Sequence, residues 1–544
     1  MGDYLTPGVY VEEKGALTLG IQAGETAVPV FVGHFDPVAG GVVPPPVRCV
    51  RVDSWLDFSL QFRTDASESF HIDLKNKDSP ELHGTYLGSY SVRLFLENGG
   101  GRCYVLPLNE FSDQRIAEIG PAVEQCPDIT LLCWCEHRSA EDERKILAAL
   151  GQLTGAGSRG MQGRFLLADA TRRGSDIEVS PVSDHRHAAA YFPALRTTYR
   201  FAESTDRVQV KNCTVAGKPL GTIGAIRECC EGNYSMLTAA ADKVAAAASS
   251  VENQLQGAGE VGLLHSCLAS LAKLKNISFL RSGDDAVKEP CQALLKIIGN
   301  VSDEKRAQFG LAFLEGVLNE YVDCKTAIDK CPDIRSVIRA AEQPVILRAS
   351  VAIAGVYART DRERGVWKAP ANVELSGVAG LVSVNPDTGR IDEIRVDDAL
   401  NDQLIKGGVN AVRFFSGRGY VVWGARTLVN SAETAWRYIP VRRLFDAVER
   451  DVQDAMRVAV FEPNNQPTWT SVRTVVGQYL YRLWERGALM GATPEQAYFV
   501  RVGLAETMTA EDIESGRLIV KIGLAAVRPA EYIILQLTQD MVAI

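Results

Sequence analysis

From about Gly84 to Ala170 the sequence switches repeatedly between helical and strand patterning, and this alternation limits the folds open to the chain. Tyr86–Glu97 reads as a helix stopped by Asn98-Gly-Gly-Gly101. Arg102–Leu106 reads as a strand, Asp113–Glu124 as a helix, and Thr130–Cys135 as a strand. Ser139–Leu153 reads as a helix with Glu141 and Asp142 in its first turn, where acidic groups suit the helix dipole. Arg164–Asp169 reads as another strand. Strands separated by helices must run mainly parallel, with helices covering the sheet, so a layered α/β domain is expected. Val28-Pro-Val-Phe-Val32 is a further buried strand by its continuous apolar run.

The chain is too long for a single core. At 544 residues, two or three domains are expected. The Ala-rich stretch from 201 to 343 reads as a largely helical subdomain inserted into one interrupted scaffold, with Tyr191–Tyr199 and Pro344–Gly355 as the scaffold's ends. The last part returns to β and then α+β. Val409–Phe415 and Tyr420–Trp423 flank a Ser416-Gly-Arg-Gly419 turn as a hairpin. Val441, Leu444, Phe445, Val448 and Val452 share one helix face. So do Trp469, Val472, Val476, Tyr479, Leu480 and Leu483. Arg517–Val527 and Glu531–Thr538 alternate as strands. Val9 and Val11 alternate with Tyr10 at the other end, in a strand that needs a sheet to join.

Composition excludes several function classes. A formal net charge of -9 argues against general nucleic-acid binding. No apolar run reaches the roughly 18 residues of a membrane helix, and the first residues show no basic-then-apolar leader. The 12 cysteines form no CxxC pair, so zinc spacing is missing. They read as buried reduced thiols, with disulfide formation after release into an oxidising medium as the alternative. Every Cys lies at or before Cys331 and every His at or before His265. The rest of the chain lacks the two most versatile catalytic and metal-binding side chains.

Phosphate-loop, zinc-protease and nucleophile-elbow motifs are absent from the sequence. Asn98–Gly101 precedes a strand, so it reads as a tight turn. Asp184-His-Arg-His187 lacks a third metal ligand. Asp169, at a strand end where α/β enzymes place catalytic groups, reads as a helix cap for the next segment. Phe461-Glu-Pro-Asn-Asn-Gln-Pro-Thr-Trp469 is a construction motif, in which Pro463 and Pro467 bracket a polar turn and Trp469 opens a helix. That helix carries Trp484 and stops at Gly487, placed as a C-cap. Arg442, Arg443, Arg450 and Arg457 are interleaved with acids, as a solvated mixed face or a protein-binding face.

In order along the chain, the blocks Leu5–Glu13, Phe95–Tyr104, Ala354–Asn372, Gly419–Thr427, Arg442–Phe445, Phe461–Trp469, Gly487–Phe499 and Pro529–Glu531 resemble a known family. It is that of the contractile tail sheath proteins of myophages, R-type pyocins and extracellular contractile injection systems. The insertion between Tyr199 and Pro344 departs from simpler phage sheaths and is similar to the larger injection-system sheaths.

The resemblance implies a multidomain α/β and α+β chain, with a core α+β domain built from both chain ends and an inserted outer α/β domain that is subtilisin-like in the family. The expected division is an N-terminal arm over 1–27, the outer domain over 28–200, the helical insertion over 201–343, a return over 344–400, the core over 401–515, and C-terminal strands over 516–544. It implies arms that add strands to neighbouring subunits, here Val9, Tyr10 and Val11 at one end and Ile533, Leu535 and Leu537 at the other. Arg442, Arg443, Arg450 and Arg457 become candidates for a surface facing an inner tube. The implied partners are the chain itself in stacked hexameric rings, an inner tube, and baseplate and cap proteins, with no cofactor, metal, nucleic acid or membrane insertion. Assembly in a bacterial cytoplasm is expected, as part of a phage tail or a released particle. The alternatives are a hydrolase with a subtilisin-like domain and a non-contractile binding module.

Overall fold

The computed structural model describes residues 21–38, 47–65, 71–73, 87–154, 163–202 and 342–531 apart from a few single positions, and scattered positions between 205 and 319. The expected arm residues Val9, Tyr10, Val11, Ile533, Leu535 and Leu537 lie outside the described residues. The chain forms two compact units, one from Met1–Thr64, Tyr86–Thr198 and Ile346–Ile544, the other from Asp65–Thr85 and Tyr199–Val345.

A ten-stranded sheet organises the first unit. Its strands are β1 (Pro29–Gly33), β2 (Val50–Val52), β3 (Cys103–Pro107), β4 (Leu131–Trp134), β5 (Phe165–Arg173), β6 (Asp176–Val179), β7 (Ala188–Phe192), β8 (Val373–Glu374), β9 (Val409–Phe415) and β10 (Gly419–Trp423). The order is β8-β10-β9-β7-β5-β4-β1-β3-β2, with β6 on β5. From β9 to β3 neighbouring strands run parallel. The antiparallel pairings are confined to the margins. Residues 409–423 were expected in the C-terminal core; the hairpin is there, but β9 pairs with β7 and belongs to the α/β sheet.

Both faces of the sheet are covered, which is why β1, β3, β4 and β7 are buried throughout. On one face Val30, Val32, Leu106, Leu132 and Leu166 pack with α2 (Asp113–Ala117), α3 (Ile119–Glu124) and α4 (Ala140–Gly151), using Ile116, Ile119, Val123, Ile146 and Leu150. The single helix expected over Asp113–Glu124 is interrupted at Glu118. Ser139 caps α4 by accepting from the Asp142 N–H. On the other face Phe31 meets the ring of Phe95 in α1 (Gly88–Glu97) edge-on, with centroids 5.1 Å apart. Against α1 packs α5 (Ala349–Arg364), so closely that a Cβ on Gly355 would collide with the Phe95 carbonyl oxygen.

Helix α5 escaped the periodicity reading. From Ala349 to Ala358 every residue is buried, so there is no polar face to set a helical period. Beside the main sheet, Ala194–Arg200, Val378–Val384 and Ile391–Glu393 form antiparallel ladders.

The C-terminal part is built on α6 (Ile439–Met456) and α7 (Gln466–Glu485). Leu444, Val448 and Val452 meet Val472, Val476, Tyr479, Leu480 and Leu483, and Ile21 from the other chain end joins the same cluster. The antiparallel pair β11 (Tyr498–Arg501) and β12 (Lys521–Leu524) packs beneath. Helix α7 ends in a Schellman motif: Gly487, at φ +76°, donates to the Trp484 carbonyl, and Ala488 donates to that of Leu483. No described helix is long and apolar enough to cross a membrane.

In the second unit, Gln209–Lys211 pairs parallel with His71–Asp73, and Thr214–Val215 pairs with Lys218–Pro219. Its described helical positions include Asp303–Gln308, with Leu294, Ile298, Leu311, Leu314 and Leu318 buried. The insertion expected to be largely helical therefore also contains strands.

Candidate assembly site

Two segments next to the chain ends are clamped onto the C-terminal part by charged side chains. Residues 21–26 lie along α6 and α7. Arg482 Nη2 donates to the Ile21 carbonyl at 3.3 Å and Arg450 Nη2 to that of Glu25 at 3.3 Å. Arg443 Nη2 donates to the Thr26 carbonyl at 2.9 Å, and Gly24 N donates to Asp451 Oδ1 at 3.1 Å. The Arg443 fork also engages Asp361 at the end of α5, with Nη1 at 3.0 Å from Oδ1. Its guanidinium stacks over Tyr357 at 4.5 Å. Burial works against the Arg443 charge, but Asp361 outweighs it and the pKa is raised. Burial pushes the Asp451 carboxyl up, against the Tyr479 hydroxyl that donates to it at 2.7 Å. A backbone segment without regular structure is thus held through its carbonyls by arginines, the donors best suited to several acceptors at once.

At the other end, Arg426 makes a fork on Glu531 at 2.8 and 2.6 Å, and the Tyr438 hydroxyl adds a bond at 3.3 Å. Burial opposes the Glu531 charge; Arg426 and Tyr438 prevail and its pKa is lowered. Met490 N donates to the Ala525 carbonyl and Val527 N to that of Ala488, so the segment after β12 is zipped to residues 488–490. Among the described residues β11 and β12 pair only with each other as strands. Phe499 and Met490 beside them are about half exposed. A two-stranded sheet is marginal alone and presents edges for further strands.

The construction motif is only partly internal. Asn465 caps α7 by accepting from Thr468 N, and Pro467 lies in the first turn. Trp469 is buried, with Nε1 donating to Asn464 Oδ1 at 2.7 Å, and packs with Val502 and Met508. Asn464 in turn donates to the Arg517 carbonyl. Trp484 donates to the Gly491 carbonyl at 3.0 Å. Phe461, expected as part of the structural motif, is instead fully exposed at 102%, with φ +73°, and Val458 and Val460 are exposed beside it.

The four arginines expected to share a surface are divided. Arg442, Arg443 and Arg450 are buried, which corrects the reading of them as an outward face. Arg442 bonds Asp446 and stacks over Trp436 at 4.2 Å, while the other two hold the N-terminal stem. Arg457 remains exposed, paired with Asp454 at 3.1 Å. Regular interleaving with acids does not distinguish a wet face from buried pairs.

A doubly wound sheet binds small ligands at the carboxyl ends of its strands where strand order reverses. Here the order reverses at β1, between β3 and β4, and the protein fills the position itself. Glu136 Oε1 accepts from His34 N at 3.0 Å and from Leu87 N, at the start of α1, at 3.1 Å. Its carboxylate thus sits where an anion would bind a helix N-terminus. Arg348 donates to the Glu136 carbonyl and makes a fork on Glu143 at 3.1 and 2.8 Å. Asp169 accepts from Ser350 N at 2.9 Å and Ser350 Oγ at 2.6 Å, capping α5 rather than the next segment. Burial pushes Glu136 up to about 7 and Asp169 up to about 6, and drives His137 down to about 3. Ser350 is fully buried and donates to a carboxylate, so it is arranged as a cap rather than as a nucleophile. His187 is bonded to Asp446 at 3.1 Å.

Two family profiles match consecutive stretches: the phage tail sheath protein central domain over residues 302–428 and the phage tail sheath C-terminal domain over 431–540. The anti-feeding prophage helical sheath in its contracted state aligns over 99% of this chain and 100% of its own, at 29% identity and a TM-score of 0.59. A chain of the anti-feeding prophage baseplate aligns at 30% identity over 99% of this chain and 100% of its own, with a TM-score of 0.58. This chain belongs to the contractile tail sheath family. The sheath complex of an extracellular contractile injection system, also contracted, matches the sheath-family chain at 26% identity and a TM-score of 0.54, covering 99% of each. The tail sheath protein of Vibrio phage KVP40 is 31% identical over 137 residues, 25% of this chain and 19% of the relative. That of Enterobacteria phage T4 is 31% identical over 128 residues, 24% of this chain and 18% of the relative. The sheath-family chain therefore aligns with about a fifth of the length of these phage relatives.

Proposed function

We propose that this sheath-family chain polymerises helically around an inner tube and contracts to drive that tube through a target envelope. The observation that carries the reading is the pair of clamped stems. The segments leading to both chain ends are held by arginines, and nearby lies a two-stranded sheet whose strands pair only with each other among the described residues. An anchored stem lets an arm carry load, and an open edge can accept a neighbour's strand, each added main-chain hydrogen bond contributing about 1 kcal/mol net. Such contacts are heterologous and propagate into a helical tube. Arms that persist while subunit bodies repack would hold the lattice together during contraction. The extended sheath would be trapped kinetically, its energy stored in the subunit arrangement rather than supplied by a nucleotide.

The tube-facing surface is assigned to the end of α6 and the loop after it, where Arg457, Val458, Val460 and Phe461 are exposed. Baseplate and cap proteins complete the partner set. Assembly takes place in the bacterial cytoplasm, in a phage tail or a released injection particle, and the role is structural rather than enzymatic. The test is deletion of residues 1–13 with imaging of the product by negative-stain electron microscopy. Folded subunits without tubes are expected; tubes of normal length would overturn the arm model.

A further inference from the structure

Cys49 and Cys126 pack against one apolar cluster, and their thiols act on each other electrostatically. The topology brings them together on separate grounds. Val50 stands opposite Val105 and Arg51 opposite Tyr104 in the β2–β3 ladder. One residue further back, Cys49 falls opposite Leu106, on the sheet face that carries Tyr104 and Leu106. Cys126 lies two residues beyond α3, which covers that face. Both cysteines pack against the same apolar cluster. The Tyr104 hydroxyl donates to Asp128 at 2.9 Å and pins the turn after Cys126 to the strand.

The pair also has a charged neighbour. Arg164 Nε and Nη2 donate to the Ile129 and Val123 carbonyls, whereas its buried Nη1 has no partner. Burial raises both thiols, and the Arg164 charge acts against that rise. Cys103, Cys133 and Cys135 are buried in the sheet, but Cys49 and Cys126 are partly exposed. We infer that Cys49 and Cys126 form an oxidisable dithiol that closes to a disulfide on meeting a small-molecule disulfide.

The exchange proceeds in two steps. Cys126, the less deeply buried thiol, loses its proton to solvent and attacks one sulfur of the small disulfide. The other sulfur leaves as a thiolate and takes up a proton, leaving a mixed disulfide at Cys126. Cys49, deprotonated in turn, attacks Cys126 Sγ and expels the second small thiol. The protein dithiol is oxidised by two electrons and the small disulfide is reduced to two thiols. The unpartnered Arg164 N–H is placed to stabilise each thiolate as it forms. The product ties the edge strand β2 to the helical layer and closes a long loop, which stabilises by restricting the unfolded chain. A reducing cytosol keeps the pair open and an oxidising medium closes it.

The test uses the full-length protein incubated with oxidised glutathione, quenched with an alkylating agent and digested without reduction for mass spectrometry. A Cys49–Cys126 linked peptide is expected, with a thermal midpoint that rises on oxidation and returns with reductant. In Cys49→Ser, glutathione should remain on Cys126. Wild-type protein that retains glutathione on Cys126 as stably as the variant would overturn the proposal, as would alkylation of both wild-type cysteines or pairing of either with another cysteine.

Discussion

Arginine forks hold both the strand ends around Arg348 and the stems around Arg443 and Arg426, and the two regions use them differently. Around Arg348 every partner lies within the α/β layers: Glu143, the Glu136 carbonyl and nearby Asp169 join β4, α4, β5 and α5. The cluster fills the crevice where relatives by architecture hold ligands. At the stems the arginines grip the segments that lead to the chain ends. One network closes the fold on itself, and the other fixes where the chain leaves it. The chemistry is the same guanidinium fork, so position in the fold rather than residue type decides the role.

Changes to the first network should reduce stability, and changes to the second should reduce assembly. The largest effect is expected from Arg348→Met, which leaves Glu143 and Asp169 buried without a cation. A loss of about 3–5 kcal/mol in urea unfolding is expected, and a loss below about 1 kcal/mol would break the contrast. Trp469→Ala lies between the regions, because Trp469 both packs the core and orients α7 above β11. It should cost about 3 kcal/mol and abolish sheath formation; sheaths of normal yield and length would count against it.

Glu136→Gln tests the crevice through pH. Burial raises the Glu136 carboxyl to about 7, above its value in an unfolded chain. The folded protein therefore keeps a proton that the unfolded chain releases between about pH 4.5 and 7. Its contribution to stability is complete at acid pH and is lost as pH rises through 7. Relative to the glutamine variant, wild type should lose about 3 kcal/mol between pH 4 and pH 8. Parallel stability curves would show that the carboxyl is not held protonated. The smallest effect on stability is expected from Arg426→Ala, whose partner Glu531 is partly solvated. It should cost about 1 kcal/mol yet reduce tube length, measured by electron microscopy of subunits that remain folded. Tubes of wild-type length would leave the C-terminal anchor without a part in assembly.

Much of the architecture was legible because amphipathic elements advertise their period. Val448 and Val452 on α6, Val472 and Val476 on α7, and the apolar runs of β1 and β4 all point to elements that the structure contains. Helix α5 was illegible for the opposite reason, since burial on every side removes the contrast that periodicity needs. Arg443 and Arg450 were read as surface residues because charge is usually solvated. Nothing local marks a guanidinium whose acceptors, the Thr26 and Glu25 carbonyls, lie more than 400 positions away. Phe461, the first residue of the construction motif, stands in solvent.

By itself the sequence determined the strand–helix alternation, the stop at Gly487, and the family resemblance. These depend on residues within a few positions of one another, or on order along the chain. Only the tertiary structure decided that Glu136 fills the crevice, that Asp169 caps a helix 181 positions away, and that the arginines of α6 hold the N-terminal stem. Those outcomes follow from which carbonyls and carboxylates meet once distant segments pack, and a buried charge takes its role from that meeting.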